Sequence, residues 1–168
     1  MNVIRDLRYG PAERNFLDIF VPHGDETNRP VIMYVHGGGF ISGDKMWTEK
    51  VYSNIGWFFA ERGIITVVIN HRLVPHVKYP GGAEDIQMAR EWIYNHISSP
   101  QYGRGSPEKV VLFGHSSGGA HIAMNLYAAG NAYINATDHV SHNNLIFRRT
   151  GKGFQSFNIS SSGWRDLS

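Results

Sequence analysis

The sequence predicts an α/β protein whose sheet is mostly parallel and carries helices on both faces. Three apolar segments, residues 31–35, 64–69 and 110–113, have the continuous hydrophobicity of strands that are buried on both sides. Between them, residues 48–62 and 83–97 repeat apolar side chains every three or four positions, as amphipathic helices do. Strands that alternate with helices build parallel sheets, and such sheets bind ligands at the carboxyl ends of their strands.

The N-terminal residues predict two further strands, at 3–9 and 15–21. In the second one, Leu17 and Ile19 fall on one side of the strand and Asp18 falls on the other. Thr48 is the predicted N-cap of the first helix, whose expected apolar face contains Val51, Ile55, Phe58 and Phe59. The expected apolar face of the second helix contains Ile86, Ala89, Ile93 and Ile97.

Composition narrows the class of protein. The chain has 168 residues, 42% of them hydrophobic and 18% charged, which suits one globular domain. A net charge of +2 is too small to predict a nucleic-acid surface, and the lack of cysteine excludes disulfides and thiol catalysis. Charged residues begin at Arg5 and no apolar run approaches the ~18 residues of a membrane span. We therefore expect no signal peptide, no membrane span and a cytoplasmic location.

The central motif is Gly114-His-Ser-Ser-Gly118, which lies between the strand at 110–113 and a predicted helix over 120–129. Gly-x-Ser-x-Gly in this context is the pattern of a nucleophile elbow, a sharp turn that strains the serine and leaves its flanking glycines no room for side chains. Ser116 is therefore the predicted nucleophile. Ser117 heads the helix and is predicted to offer its backbone N–H to an oxyanion. The alternative is a Gly/Ser-rich turn without a catalytic role.

A second glycine-rich segment, His36 to Gly39, follows the strand at 31–35. Consecutive glycines let backbone N–H groups approach a reacting carbonyl, and each preorganised donor lowers the barrier by roughly 3–4 kcal/mol. A phosphate cradle is the alternative. A dinucleotide site, however, needs an acidic residue after the next strand, where this chain has Asn70 and His71.

Over roughly residues 10–130 the chain resembles the α/β-hydrolases of the hormone-sensitive-lipase-like and arylformamidase-like esterase group, the alpha/beta hydrolase fold-3. The matching motifs are His36-Gly-Gly-Gly-Phe40, Gly43-Asp44, His71-Arg-Leu-Val-Pro75, Tyr79-Pro80 with Ala83-Glu-Asp85, and Gly114-His-Ser-Ser-Gly-Gly119. The resemblance implies a carboxylic-ester hydrolase with Ser116 as nucleophile and Gly38, Gly39 and Ser117 as oxyanion donors. It also implies a small-molecule ester or amide substrate and no cofactor.

The resemblance ends near residue 130. In α/β-hydrolases the triad acid and histidine follow the nucleophile on later strands. Here Asp138 and His142 have the right order but are only four residues apart, which favours a solvated turn, and the other candidates are His139 and Asp166. We therefore expect residues 1–130 to be the N-terminal part of a C-terminally truncated hydrolase domain, and 131–168 to be an atypical, irregular polar tail.

Two consequences concern ligands and partners. His36, His71 and His76 lack the spacing of metal ligands and have no accompanying carboxylate, so no metal site is expected. Without later strands, residues 110–113 would form a bare apolar edge, and such edges recruit other chains, so self-association is expected. Leu145–Phe147 is the one apolar segment able to pair with that edge, and it is short.

Three functions remain open at this point, and the third and least favoured of them is a phosphate or nucleotide binder. The first is a serine esterase acting through an acyl-enzyme on Ser116, with little activity in this chain because its triad acid and base cannot be identified. The second is a non-catalytic esterase relative that binds small acyl ligands or a partner chain.

Overall fold

The computed structural model describes residues 1–47 and 51–128, together with the backbone of residues 145–150, 153–160 and 163–166. The strands in these ranges are β1 (Asn2–Arg8), β2 (Phe16–Val21), β3 (Arg29–Val35), β4 (Ile65–Ile69), β5 (Gly105–Gly114), β6 (Leu145–Thr150), β7 (Gly153–Ser160) and β8 (Gly163–Asp166). The helices are α1 (Ser53–Ala60), α2 (Gly81–His96) and α3 (Ser117–Ala128), with a short 3-10 turn at Pro100–Tyr102.

The described strands form one mixed sheet in the order β1-β2-β4-β3-β5-β6-β7-β8. Parallel pairing joins β4 to β3 and β3 to β5, and the other neighbours are antiparallel. The predicted α/β class is confirmed, with its parallel part confined to the three central strands. These are the segments with continuous hydrophobicity, which is typical of strands covered on both faces.

Helices cover both faces of the sheet, as predicted. One face packs α2 and α3 onto the larger core, where the expected line of α2 residues is buried: Ile86, Ala89, Ile93 and Ile97. The other face packs α1 onto a smaller aromatic core around Phe20, Tyr34 and Val68. Within β2, Leu17 and Ile19 enter the larger core and Phe20 enters the smaller one, because successive side chains of a strand point to opposite faces.

Helix α1 differs from its prediction in length and in orientation. It begins at Ser53, and the predicted cap Thr48 lies outside the described residues. Its fully buried positions are Ser53, Gly56 and Ala60. Of the predicted face, Ile55 packs partly buried against the smaller core, whereas Val51 and Phe58 are half exposed. The reason is Gly56: a Cβ there would lie 2.4 Å from the ring of Phe20, so only glycine lets the helix approach the sheet on this side.

The segment after residue 144 also differs from its prediction. Three antiparallel strands, β6 to β8, occupy residues that were expected to be irregular, and Phe147 in β6 pairs with Leu112 in β5. Pairing follows from the N–H and C=O groups of β5, which need hydrogen-bond partners on its far side. The prediction that β5 is a bare edge is therefore wrong, and among the described strands the edges of the sheet are β1 and β8. Self-association and the domain boundary at residue 130 stay predictions, and residue 130 lies outside the described residues.

A buried ion cluster ties the loop after β3 to the first two strands. The Asp18 carboxylate, 1% exposed, accepts hydrogen bonds from Lys45 Nζ at 2.7 Å, Arg5 Nη1 at 3.2 Å and the backbone N–H of Asp6 at 2.9 Å. Lys45 Nζ also donates to Asp6 Oδ1 at 2.7 Å. Asp18 shares a face of β2 with the buried Phe20, and its burial is tolerated because Lys45 reaches it from the loop. Among the described residues, no helix is both long enough and apolar enough to cross a membrane.

Asp18→Ala is expected to lower the free energy of unfolding by about 3–5 kcal/mol, because it leaves the buried Lys45 ammonium without its inner partner. Urea unfolding at neutral pH measures this loss. The matched control is Asp25→Ala, which removes a fully exposed carboxylate 3.6 Å from Arg104 and is expected to change nothing measurable. Equal midpoints for the two variants would contradict the structural role given to the cluster.

Candidate active site

Ser116 lies in a sharp turn between β5 and α3. Its φ is 53°, in the left-handed region that side chains rarely adopt, and its side chain is exposed. A Cβ on Gly114 would lie 2.5 Å from the backbone nitrogen of Gly119, and one on Gly118 would lie 2.3 Å from the carbonyl oxygen of Val35. The turn therefore needs glycine on both sides of the serine, which is the geometry that the Gly-x-Ser-x-Gly pattern predicts.

The two glycine-rich segments lie side by side. Strands β3 and β5 are parallel neighbours with Val35 opposite Gly114, so the loops that follow them leave the same edge of the sheet, as predicted. The backbone N–H of His115 donates to the carbonyl of Val35 at 3.1 Å. A Cβ on Gly37 would lie 3.0 Å from the Cβ of Ser116. The His36–Gly39 backbone thus contacts the turn that carries Ser116.

Hydrogen bonds within the loop determine where its amides point. The carbonyl of Gly37 accepts from His36 Nδ1 at 2.8 Å, and the carbonyl of Gly38 accepts from the N–H and the hydroxyl of Ser42 at 3.0 and 2.9 Å. In a trans peptide the C=O and the next N–H point in opposite directions. The N–H groups of Gly38 and Gly39 therefore point away from His36 and Ser42.

These two N–H groups remain available to a ligand. None of the loop and turn hydrogen bonds in the described part of the chain uses the N–H of Gly38, Gly39 or Ser117. Gly38 and Gly39 have φ values of +133° and +62°, which glycine adopts without strain. Ser117 begins α3, so its N–H also belongs to the partly positive end of a helix dipole. Near Ser116, the backbone N–H groups of Gly38, Gly39 and Ser117 are therefore left unused by the hydrogen bonds of the described residues.

Three buried histidines pack together beneath the loop, with His36 stacked on His71 and His71 edge to face with His121. The ring centroids of His36 and His71 lie 4.4 Å apart, and those of His71 and His121 lie 4.6 Å apart. In the described residues, His36 Nε2 and both ring nitrogens of His121 are buried without a hydrogen-bond partner. Burial, reinforced by the neighbouring His71, lowers the pKa of His36 to about 4 and that of His121 to about 3. Burial also lowers the pKa of His71, so all three imidazoles are neutral at pH 7.

The sequence had not singled out His121. It lies one turn into α3, in a stretch that reads as an ordinary helix, and only the packing of α3 against β3 and α2 brings it to His71. Its polar edge faces Gly82 at the start of α2, where a Cβ would lie 2.1 Å from His121 Cε1. His121 and Gly82 lie on different helices and far apart in the sequence, so no local sequence pattern predicts their contact.

An apolar pocket of about 430 Å³ opens beside the loop. It begins at Gly39 and Phe40 and continues between the loop after β4 and the start of α2. Its apolar walls are Phe40, Ile41, Val74, Val77, Tyr79 and Met124. Asp85, fully buried, holds the loop after β4 by accepting the N–H of Arg72 at 2.7 Å and its Nε at 2.9 Å. A cavity of about 460 Å³ between α2 and β5 contains none of the predicted site residues.

No base for the Ser116 hydroxyl is found in the part of the chain that the structure describes. Within the described ranges no histidine is hydrogen-bonded to the Ser116 hydroxyl, and no group of His, Cys, Asp and Glu side chains could hold a metal ion. Asp138, His139 and His142 lie outside those ranges, and Asp166 is in β8.

The buried histidines make stability depend on pH. Each is harder to protonate in the folded chain than in the unfolded one, where the pKa is about 6.5. The unfolded chain therefore binds more protons below that value, and the free energy of unfolding falls as pH drops from about 6.5 towards 4. His121→Leu is expected to flatten this fall in urea unfolding measured between pH 7 and 4.5. The exposed His76→Leu is the matched control, and identical pH slopes for the two variants would contradict the prediction.

Named relatives of the chain are ester hydrolases. It is 37% identical over 121 residues to a probable isoprenylcysteine alpha-carbonyl methylesterase of Oryza sativa subsp. japonica, a match covering 72% of this chain and 27% of that protein. It is 31% identical over 137 residues to the bile salt-activated lipase of Mus musculus, covering 73% of this chain and 22% of the lipase. The chain thus spans about a quarter of the length of the curated relatives it matches.

Solved esterases share the fold. Esterase B from Lactobacillus rhamnosis superposes with a TM-score of 0.64 at 24% identity, covering 74% of this chain and 38% of that one. An esterase of Pyrobaculum calidifontis superposes with a TM-score of 0.60 at 25% identity, covering 76% and 39%. The sheet and helices described above are therefore part of an α/β-hydrolase fold. The BD-FAE family model matches residues 17–149, a range that includes both glycine-rich loops, and the chain belongs to the BD-FAE family.

Proposed function

We propose that the chain carries the nucleophile and oxyanion hole of a serine hydrolase that acts on carboxylic esters or a related amide. The observation that supports this most directly is the left-handed backbone of Ser116, an exposed residue next to the backbone of Gly37. Strained residues cluster at active sites, and here the strain coincides with flanking glycines, Gly114 and Gly118, that leave no room for a Cβ.

In the proposed reaction the Ser116 oxygen attacks the ester carbonyl carbon, and the hydroxyl proton passes to a general base. The carbonyl oxygen becomes an oxyanion that accepts hydrogen bonds from the N–H groups of Gly38, Gly39 and Ser117. Collapse of this intermediate expels the alcohol, which takes up the proton, and leaves an acyl group on Ser116. Water then hydrolyses the acyl-enzyme by the same route and restores the serine.

The proposed substrate has an apolar portion next to its ester group. The pocket starts at Gly39, one of the proposed oxyanion donors, so a carbonyl bound there places one substituent at the pocket entrance. Apolar walls favour a hydrocarbon chain because its burial is worth about 0.8 kcal/mol per CH₂. The names of two relatives support this choice. One is a probable isoprenylcysteine methylesterase and the other a lipase, and isoprenyl groups and lipids are apolar.

A second candidate function is binding without turnover. It is favoured by one observation, the lack of a histidine hydrogen-bonded to Ser116 in the part of the chain that the structure describes. In that case the same pocket would hold a small acyl compound, or the chain would act with a partner.

The cytoplasmic location remains a prediction from the sequence.

Labelling with a fluorophosphonate distinguishes the two candidates. We expect one phosphonyl group per chain on Ser116, found by mass spectrometry of the digested protein, because the oxyanion hole activates the serine towards phosphorus as well as carbon. Ser116→Ala is expected to abolish the label, while Ser98→Ala, an exposed serine at the end of α2, keeps it. A wild-type chain that stays unlabelled while folded would contradict the hydrolase proposal.

Turnover by the 168-residue chain is expected to be slow. Removing triad members costs on the order of 10⁴–10⁶ in rate, although an oxyanion hole and binding leave about 10³ over water. Hydrolysis of p-nitrophenyl acetate is therefore expected to exceed the blank only slightly and to fall to it in Ser116→Ala. Turnover at rates typical of esterases would contradict this expectation and would indicate a base among residues outside the described ranges.

A further inference from the structure

The guanidinium of Arg14 connects two loops of the candidate site. Arg14 lies in the turn between β1 and β2 and is far in sequence from both loops. Its Nη2 donates to the carbonyl of Gly43 at 2.7 Å, at the end of the loop after β3. Its Nε donates to the carbonyl of His71 at 2.9 Å, in the loop after β4. Asp44 adds a carboxylate oxygen 3.8 Å from Nη2.

The turn that carries Arg14 is itself held in place. Asn15 is fully buried, and its side chain accepts the N–H of Ala12 at 2.9 Å and donates to the Tyr9 hydroxyl at 3.2 Å. The Tyr9 hydroxyl in turn donates to the carbonyl of Asn70. The base of the Arg14 side chain is therefore anchored to the same strand end that precedes His71.

Gly43 transmits this constraint to the proposed oxyanion donors. With a φ of +111°, it packs against the peptide of Gly37: a Cβ on Gly43 would lie 2.3 Å from the Gly37 carbonyl oxygen and 2.4 Å from His36 Nδ1. That carbonyl belongs to the peptide whose N–H is the Gly38 donor. Movement of Gly43 away from His36 would free the Gly37 peptide to rotate, and the Gly38 N–H would rotate with it.

We propose that Arg14 is a positioning residue for the reaction: by joining the carbonyls of Gly43 and His71, it holds the Gly38 N–H on the Ser116 side of the loop. This inference rests on the proposed function. The guanidinium suits the task because it directs two donors along different fixed directions, whereas the ammonium of lysine is a single point charge. A misplacement of about 1 Å by a remote change can cost about 10²-fold in rate.

The first test measures the loop directly and needs no activity. Hydrogen–deuterium exchange followed by mass spectrometry compares wild type, Arg14→Ala, Arg14→Lys and the control Arg8→Ala. Arg8 is matched because its guanidinium contacts neither loop among the described residues: it donates to the carbonyls of Gly10, Pro11 and Ala12 at 3.3 Å and lies over the ring of Phe16. We expect faster exchange in peptides covering residues 36–47 in both Arg14 variants and not in Arg8→Ala. Unchanged exchange in Arg14→Ala would overturn the proposal.

The second test measures the chemical consequence as the second-order rate of phosphonylation of Ser116. Arg14→Ala is expected to react about 10- to 100-fold more slowly than wild type, with partial recovery in Arg14→Lys, while Arg8→Ala stays within about threefold. Equal losses in Arg14→Ala and Arg8→Ala, at equal melting temperatures, would overturn the positioning role. A wild-type chain that is not labelled would refute the proposed function instead, and loop exchange alone would then decide whether Arg14 holds the loop.

Discussion

The parallel pairing of β3 with β5 is the interaction on which the candidate site depends. It places Val35 opposite Gly114, so that two glycine-rich loops, separated by more than seventy residues of sequence, start from the same sheet edge. Pairing at a different register would move one loop along the other by a residue or more. The contacts between the Gly37 backbone and Ser116 would then be lost. The hydrophobic matching of the two strands thus determines the geometry available to the chemistry.

Glycine residues let the backbones of the loops after β3 and β5 approach each other. Their conformational freedom is lost on folding, and the packing around the loops must offset that entropy cost. Gly118 lies against the carbonyls of Val35 and His36, and Gly43 lies against Gly37. Neither contact leaves space for a Cβ, so the turn after β5 packs on the loop after β3, and that loop packs on itself, through backbone atoms rather than side chains. Backbone contacts of this kind hold amide groups in defined directions, which is what the stabilisation of a developing oxyanion requires.

Beneath the loops, polar histidine side chains are buried, which lowers the free energy of unfolding. Three neutral imidazoles are packed together, and some of their nitrogens have no hydrogen-bond partner within the described residues. A buried polar atom without a partner costs roughly 1–3 kcal/mol, so an apolar side chain would be the more stable choice at His121. Unfavourable features of this kind concentrate at functional sites. The buried histidines lie between the proposed oxyanion loop and the apolar pocket.

Local sequence patterns by themselves determined the α/β class, most of the strands, the buried face of α2 and the elbow around Ser116. These features depend on hydrophobic periodicity and on the steric needs of a strand-to-helix turn, which a short stretch of residues expresses in full. Only the tertiary structure decided which face of α1 is buried, that β6 pairs with β5, and that His121 meets His71. It also brought Arg14 to the two loops beside Ser116. Each of these depends on residues far apart in the sequence, such as Gly56 with Phe20 or Gly82 with His121, whose contact exists only after the sheet has formed.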